Sequence, residues 1–142
     1  LGAVVSCALY REYEVDVGFA YNRKEAKDHG EGGQVVGASL TGNRVLIIDD
    51  VITAGTAIRQ AFTLLNEVSA KPVGVVIALD RDEVRALDDK LSAVQAVARD
   101  LAIQVVSIVS LKELQSFLEQ SPDYDDATLQ SVVQYRSEYG AS

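Results

Sequence analysis

The 142-residue sequence contains no methionine and no tryptophan, and it has one cysteine, one histidine and two prolines. A single cysteine excludes a disulfide within the chain and a zinc site built from several cysteines. Cys7 lies among apolar residues, where a buried and inert thiol is expected. We therefore predict a reducing, cytoplasmic setting. Because residue 1 is not methionine and LGAVVSCALY is typical of a core helix, we also expect an N-terminal truncation.

Basic residues are also scarce, since 13 Lys and Arg residues stand against 21 Asp and Glu residues and the formal net charge is −8. Such a chain repels a phosphate backbone, so we expect no nucleic-acid partner. No apolar run reaches the length of a membrane span, and no basic segment precedes the apolar N-terminal stretch. We therefore predict a soluble protein with no membrane partner.

Hydrophobic residues make up 48% of the chain, enough for one domain with a substantial core over residues 1–142. Helical spacing predicts helices at 1–13, 57–70, 91–102 and 111–120, with a last helix that ends near Gly140. Short apolar runs predict strands at 14–22, 44–50, 71–81 and 103–110. This alternation predicts an α/β fold with an open, twisted, mostly parallel sheet flanked by helices.

Polar or charged residues follow three of the predicted strands. They are Asn22 and Arg23, Asp49 and Asp50, and Asp80 and Arg81. Ligands of parallel sheets bind at the carboxyl ends of the strands. We therefore expect these three strand ends to converge on one site.

The segment VLIIDDVITAGTA, residues 45–57, contains the two adjacent acids. Neighbouring strand residues point to opposite faces, so both carboxylates can reach one ligand only if the strand ends here. A sugar diol is a suitable ligand, because a carboxylate accepts hydrogen bonds from neighbouring hydroxyls. The alternative is that one acid caps the turn while the other is solvated.

The turn after these acids has the chemistry of a phosphate cradle. Thr53, Gly55 and Thr56 place hydroxyls and accessible backbone N–H groups at the start of a helix, whose dipole favours an anion. No GKS or GKT follows, which disfavours a nucleoside-triphosphate loop. A diol ligand beside a monophosphate cradle describes a ribose 5-phosphate site.

The loop from Arg23 to Gly33 is charged and rich in glycine. Its cations are Arg23, Lys24, Lys27 and His29, and its glycines could act as hinges for closure. Lys and His could stabilise and protonate a departing pyrophosphate. A solvated charged loop is the simpler alternative. Arg81 suits a planar carboxylate, although a strand-end arginine is more often a surface ion-pair partner.

In these motifs the chain resembles the orotate phosphoribosyltransferases of bacteria and fungi. VLIIDDVITAGTA is similar to the phosphoribosyl-pyrophosphate motif of type I phosphoribosyltransferases. FAYNRKEAKDHGEGG resembles the catalytic loop of the orotate enzymes, and IALDR their strand with an orotate-contacting arginine. The resemblance covers essentially the whole chain. It implies the type I phosphoribosyltransferase fold, without the N-terminal hood and the short pyrophosphate loop that precede this core in the family.

The resemblance also implies roles for individual residues. The catalytic set would be Lys27, Arg23, His29, Asp49 and Asp50, with Lys27 stabilising the transition state. Substrate would contact Lys24, Asp49, Asp50, Val51, Ile52, Thr53, Ala54, Gly55, Thr56, Ala57 and Arg81. The acids would hold the ribose hydroxyls, the loop from Thr53 to Ala57 the 5-phosphate, and Thr53 and Arg81 the orotate.

The implied reaction transfers ribose 5-phosphate from phosphoribosyl pyrophosphate to a ring nitrogen of orotate, in the synthesis of UMP. Its products are orotidine 5'-monophosphate and pyrophosphate, so the protein would be a glycosyltransferase of the pentosyltransferase class. Mg²⁺ would be the cofactor, held mainly by substrate oxygens and water. A homodimer is implied, in which the loop from Arg23 to Gly33 reaches the partner's site.

Three alternatives remain open. The first is another type I phosphoribosyltransferase that uses a purine base, against which Arg81 and the RKEAKDH loop argue. The second is a non-catalytic regulator that senses phosphoribosyl pyrophosphate, which would not need the basic loop. The third is a phosphoacceptor signalling domain, which would need a further Asp and a Lys at later strand ends.

Overall fold

The computed structural model describes residues 1–23, 34–84, 91–121 and 123–141. Within these residues the helices are α1 (Gly2–Tyr13), α2 (Thr56–Glu67), α3 (Ala93–Leu101), α4 (Leu111–Gln120) and α5 (Asp126–Tyr139). The strands are β1 (Ala20–Asn22), β2 (Val35–Gly37), β3 (Arg44–Val51), β4 (Lys71–Asp80) and β5 (Gln104–Ser110).

The main sheet is parallel and has the strand order β3-β4-β5. Its register pairs Ile47 with Val75 and Val51 with Leu79 on one side of β4, and Leu79 with Val109 on the other. Helices α2 and α3 lie in the crossovers between these strands, as parallel pairing requires. The predicted α/β fold with a parallel sheet is therefore confirmed.

The predicted strand at 14–22 was too long, and its place in the sheet was wrong. Only Ala20–Asn22 is a strand, and it pairs antiparallel with β2, which the sequence analysis missed. Both strands have three residues, too few to show a hydrophobic period. Gly37 permits the tight approach, since its φ is 125° and an added Cβ would collide with the Phe19 backbone.

The core lies between the main sheet and helices α2 and α3. Its buried cluster consists of Ile52, Ile58, Val75, Ile77, Ala93 and Val97. Helix α3 begins at a capping box, in which the buried Ser92 accepts from the Gln95 N–H at 3.1 Å while the Gln95 side chain accepts from the Ser92 N–H at 3.0 Å. The core therefore sits directly beneath the turn that follows β3.

Helix α1 lies apart from this core and buries no residue fully. Cys7 is exposed, so the prediction of a buried thiol was wrong. A cavity of about 900 Å³ lies between α1, β1 and β3, lined by apolar residues such as Leu9, Phe19 and Leu46. Apolar neighbours in the sequence therefore did not mean burial at this position. No helix in the described ranges is both long and apolar enough to cross a bilayer.

Candidate active site

Strand β3 carries both adjacent acids and continues one residue past them, to Val51. Asp49 is half-buried and Asp50 is exposed, yet both line the cavity between α1 and β3. Each carboxylate also accepts a hydrogen bond from the next backbone N–H: Asp49 from Asp50 at 3.0 Å and Asp50 from Val51 at 2.8 Å. The acids thus have features of both interpretations, local capping and access to a ligand.

The electrostatics of the strand ends favour ligands that donate hydrogen bonds. Partial burial raises the pKa of Asp49, and the neighbouring charge of Asp50 raises it further. Burial also raises the pKa of Asp80, although its carboxylate accepts from the Asp82 N–H at 2.9 Å. Partial burial removes water molecules that would donate hydrogen bonds to these carboxylates. The hydroxyl groups of a sugar would replace those donors.

The turn after β3 leads directly into helix α2. Ile52 is buried and fixes the start of the turn, whereas Thr53, Thr56 and Ala57 are exposed. Gly55 is the N-cap residue with φ 74° and ψ 10°, in the left-handed region where glycine is favoured. Among the described residues none accepts a hydrogen bond from the N–H of Ala54 or Gly55. The turn therefore presents unpaired donors at a helix N-terminus, as an anion site requires.

Arg59 supports this turn, although no sequence motif predicted this role. Its Nη1 donates to the Ala54 carbonyl at 2.8 Å, and its Nη2 pairs with the Asp100 carboxylate at 2.8 Å. The hydrogen bond from Arg59 is the main reason why the pKa of Asp100 lies below its usual value. No sequence signal links these residues, because they are 41 positions apart.

Arg81 follows β4 and contacts α5, in a group that the sequence analysis also missed. Its Nη2 pairs with Glu83 at 3.0 Å and its Nη1 donates to the Tyr135 hydroxyl at 3.4 Å. That hydroxyl in turn donates to Glu83, and this hydrogen bond is the main cause of the raised Tyr135 pKa. The Arg81 Nε is buried and has no hydrogen-bond partner within the described ranges.

Backbone hydrogen bonds also join the end of α5 to the segment after β4. The Val84 N–H donates to the Tyr139 carbonyl at 3.0 Å, and the Ala141 N–H donates to the Asp82 carbonyl at 2.6 Å. The segment that follows Arg81 is therefore attached to the end of α5 at two points.

The remaining predicted residues are only partly described. The Arg23 N–H donates to the Gln34 carbonyl at 2.7 Å, next to the β1–β2 pair. Lys24, Lys27 and His29 lie outside the described residues.

The predicted convergence of the three strand ends is observed in part. Asn22 lines the same cavity as the paired acids, and β4 ends beside β3 in the sheet, but Arg81 faces α5. Within the described part of the chain, no group of three or more His, Cys, Asp or Glu side chains is arranged to hold a metal.

Comparison with known proteins relates the chain to one family. Residues 2–97 match the model of the phosphoribosyl transferase domain family. Orotate phosphoribosyltransferase of Pseudomonas putida is 51% identical over 140 residues, covering 99% of this chain and 64% of the relative. The enzyme of the same name from Pasteurella multocida is 46% identical over the same share of both chains. The chain thus spans less than two thirds of the length of these relatives.

Solved structures show the same similarity. The crystal structure of orotate phosphoribosyltransferase from Francisella tularensis superimposes with a TM-score of 0.77 at 34% identity, covering 97% of this chain and 63% of that one. The Mycobacterium tuberculosis enzyme in complex with 5-phospho-alpha-D-ribosyl 1-diphosphate has a TM-score of 0.60, and at 24% identity it supports the fold alone. This match covers 80% of the present chain and 60% of the Mycobacterium tuberculosis chain.

Proposed function

Since this chain belongs to the phosphoribosyl transferase domain family, we propose that it is the core of an orotate phosphoribosyltransferase. In the reaction, the bond between the anomeric carbon of phosphoribosyl pyrophosphate and its pyrophosphate oxygen breaks. A bond forms between that carbon and a ring nitrogen of orotate, which loses its proton, while pyrophosphate leaves with the electron pair of the broken bond. The products are orotidine 5'-monophosphate, a precursor of UMP, and pyrophosphate.

The observation that carries the proposal is the succession of two acids and an anion cradle at the end of β3. The Asp49 and Asp50 carboxylates accept hydrogen bonds from the ribose hydroxyls. The N–H groups of the turn from Thr53 to Ala57, at the positive end of the α2 dipole, bind the 5-phosphate. The two carboxylates also stabilise the positive charge that develops on the ribose as the glycosidic bond breaks.

Arg81 and Thr53 are proposed to contact the base. A guanidinium is suited to the planar carboxylate of orotate, which a purine base lacks. Arg81 is already paired with Glu83 through one nitrogen. Glu83 and Tyr135 hold the guanidinium next to α5, so the direction of its remaining N–H groups is set before substrate binds.

The leaving group is assigned to the loop from Arg23 to Gly33. Arg23, Lys24, Lys27 and His29 would neutralise the negative charge that moves onto pyrophosphate, with Lys27 making the largest contribution. Mg²⁺ fits a site of this kind, because the oxygen ligands that it prefers are present on the substrate and on water. When bound, the ion would neutralise pyrophosphate oxygens.

The test is the loss of orotate absorbance in the presence of phosphoribosyl pyrophosphate and Mg²⁺, measured with full-length protein and its Lys27→Ala variant. We expect Lys27→Ala to lower kcat by about 100-fold, the usual effect of removing one group that stabilises transition-state charge. Lys71→Ala is the matched control, because Lys71 is exposed at the start of β4, at the opposite end of the strands from the candidate site. Folded full-length protein without turnover would refute the proposal.

We further propose a cytoplasmic homodimer in which the loop from Arg23 to Gly33 completes the partner's site. In such a dimer, mixing the impaired variants Lys27→Ala and Asp50→Asn creates mixed dimers with one intact site. The mixture should therefore recover turnover that neither variant has alone. An equally low turnover before and after mixing, with subunit exchange verified, would place the loop in its own subunit's site.

A further inference from the structure

We propose that Arg59 and Asp100 are positioning residues, which orient the backbone of the turn from Thr53 to Ala57 toward the 5-phosphate. This inference rests on the proposed function for the identity of the ligand. Neither residue is proposed to touch the reacting atoms. Their role is to fix the direction of a backbone donor in the phosphate cradle.

The peptide group between Ala54 and Gly55 is planar, so fixing its carbonyl also fixes its N–H. The carbonyl of Ala54 and the N–H of Gly55 belong to one trans peptide group, so they point in opposite directions. Arg59 donates to that carbonyl at 2.8 Å. The Gly55 N–H must therefore point away from the guanidinium, and it has no acceptor among the described residues. Holding the carbonyl on one side thus presents the donor on the other.

Arg59 is itself held in place by Asp100. Its other terminal nitrogen pairs with Asp100 at the end of α3, at 2.8 Å. The two contacts use two amino groups of one planar guanidinium, so the direction toward Ala54 is fixed by the direction toward Asp100. A lysine has one ammonium and cannot hold both acceptors in this geometry. The Asp100 carboxylate is ionised at neutral pH, as an ordinary aspartate is, and the hydrogen bond from Arg59 lowers its pKa further.

Packing around Gly55 gives independent support. A Cβ added at Gly55 would lie 2.6 Å from the Arg59 Nη1 and would also collide with the buried Val97 side chain of α3. The guanidinium and α3 therefore lie directly against the turn. Displacement of Arg59 would leave space into which the Ala54 peptide group can rotate.

The experiment compares full-length wild-type protein with Arg59→Met and with the matched control Arg99→Met. Arg99 pairs with the other oxygen of Asp100 at 2.8 Å but makes no contact with the turn. We expect Arg59→Met to raise KM for phosphoribosyl pyrophosphate about tenfold, the usual effect of losing one charge-assisted hydrogen bond. KM for orotate should stay within about twofold, and Arg99→Met should leave both constants near the wild-type values.

A second measurement separates this inference from the proposed function. Binding of ribose 5-phosphate is measured by calorimetry without orotate, and we expect about tenfold weaker binding to Arg59→Met. This comparison decides the inference even if the wild-type protein does not consume orotate. Unchanged binding to Arg59→Met would overturn it, and a wild-type protein that binds no ribose 5-phosphate would overturn both proposals.

If Arg59→Met does not fold, two more conservative variants test the same positioning role. Asp100→Asn keeps the shape but removes the charge that anchors Arg59, and Arg59→Lys keeps the charge but not the fork. Both should show a smaller loss of ribose 5-phosphate affinity in the same direction. Wild-type affinity in both variants would refute the positioning role.

Discussion

Gly55 meets two requirements at the residue scale, a left-handed backbone and the absence of a side chain. Its φ is 74°, and an added Cβ would meet both Arg59 and Val97. We expect Gly55→Ala to lower the free energy of unfolding by about 2 kcal/mol, because backbone strain and crowding add. Chemical denaturation measures this loss. Affinity for phosphoribosyl pyrophosphate should fall as well, since the turn must shift.

Gly42→Ala is the control for this prediction. Gly42 has nearly the same φ, 75°, but nothing lies within 4 Å of an added Cβ. Its substitution should cost about 1 kcal/mol from backbone strain alone and leave substrate affinity unchanged. Equal losses in the two variants would show that crowding beside Arg59 and Val97 contributes nothing.

Asp80 provides a test of pH dependence at the same scale. Burial raises its pKa above the ordinary value of 3.8, so the ionised form weakens the folded state at neutral pH. Asp80→Asn keeps an acceptor for the Asp82 N–H and removes the charge. We expect it to stabilise the protein at pH 7, by less than about 1 kcal/mol because the carboxylate is partly exposed.

The sign of the pH dependence follows from the raised pKa. As pH falls through the raised value toward 3.8, the wild-type carboxyl becomes protonated in the folded state first, and the penalty disappears. The advantage of Asp80→Asn should therefore shrink over this interval. Urea denaturation of both proteins between pH 8 and pH 4 measures it. An advantage that grows on acidification would contradict the assigned direction of the shift.

Individual contacts were less predictable from the sequence than the motifs that they support. The acids, the threonines and Gly55 form one continuous motif, so local spacing indicated their chemistry. Arg59 and Asp100 are 41 residues apart, and Arg81 and Tyr135 are 54 apart. Such pairs depend on how whole elements pack, and no periodicity in one sequence encodes them. The roles assigned to Lys24, Lys27 and His29 stay predictions, as do those of the other substrate contacts.

At the scale of elements, helix α5 is expected to orient Arg81 for orotate. Tyr135→Phe removes the hydroxyl that contacts both Arg81 and Glu83. We expect KM for orotate to rise about fivefold, because the guanidinium loses one of its partners, while KM for phosphoribosyl pyrophosphate stays unchanged. Steady-state kinetics with each substrate varied in turn measures the difference.

Tyr139→Phe provides the comparison on the same helix. The rings of Tyr135 and Tyr139 are 5.0 Å apart, but the main influence on the pKa of Tyr139 is Glu138, which raises it. This variant should retain both Michaelis constants. A similar rise for both variants would indicate a general disturbance of α5 instead of a specific effect on Arg81.

The long elements were predictable because their patterns are strong. Continuous apolar runs predicted the bounds of β3, β4 and β5 to within one residue, and helix α4 has the predicted bounds. The β1–β2 pair was not predicted, because strands of three residues contain too little hydrophobic pattern to assign a partner. The exposure of Cys7 also escaped prediction, since an apolar face does not specify what covers it.

At the scale of the whole molecule, stability should depend on the sheet face covered by α2 and α3. Ile77 on the central strand β4 is 0% exposed, whereas Val73 on the same strand is 39% exposed. We expect Ile77→Ala to cost about 3 kcal/mol through lost burial and a cavity. Val73→Ala should cost about 0.5 kcal/mol. Denaturant midpoints measure both, and equal losses would place the core elsewhere.

The link between Arg59 and Asp100 has a consequence for the order of folding. The turn from Thr53 to Ala57 contains its motif within a few neighbouring residues, yet Arg59, which supports it, is anchored by Asp100, 41 positions after Arg59 in the chain. Contacts of this separation form only after the intervening segments have closed. We therefore expect a growing chain to contain the complete motif well before the motif has its binding shape. Competence for substrate then appears as a late and cooperative event, once α3 has docked.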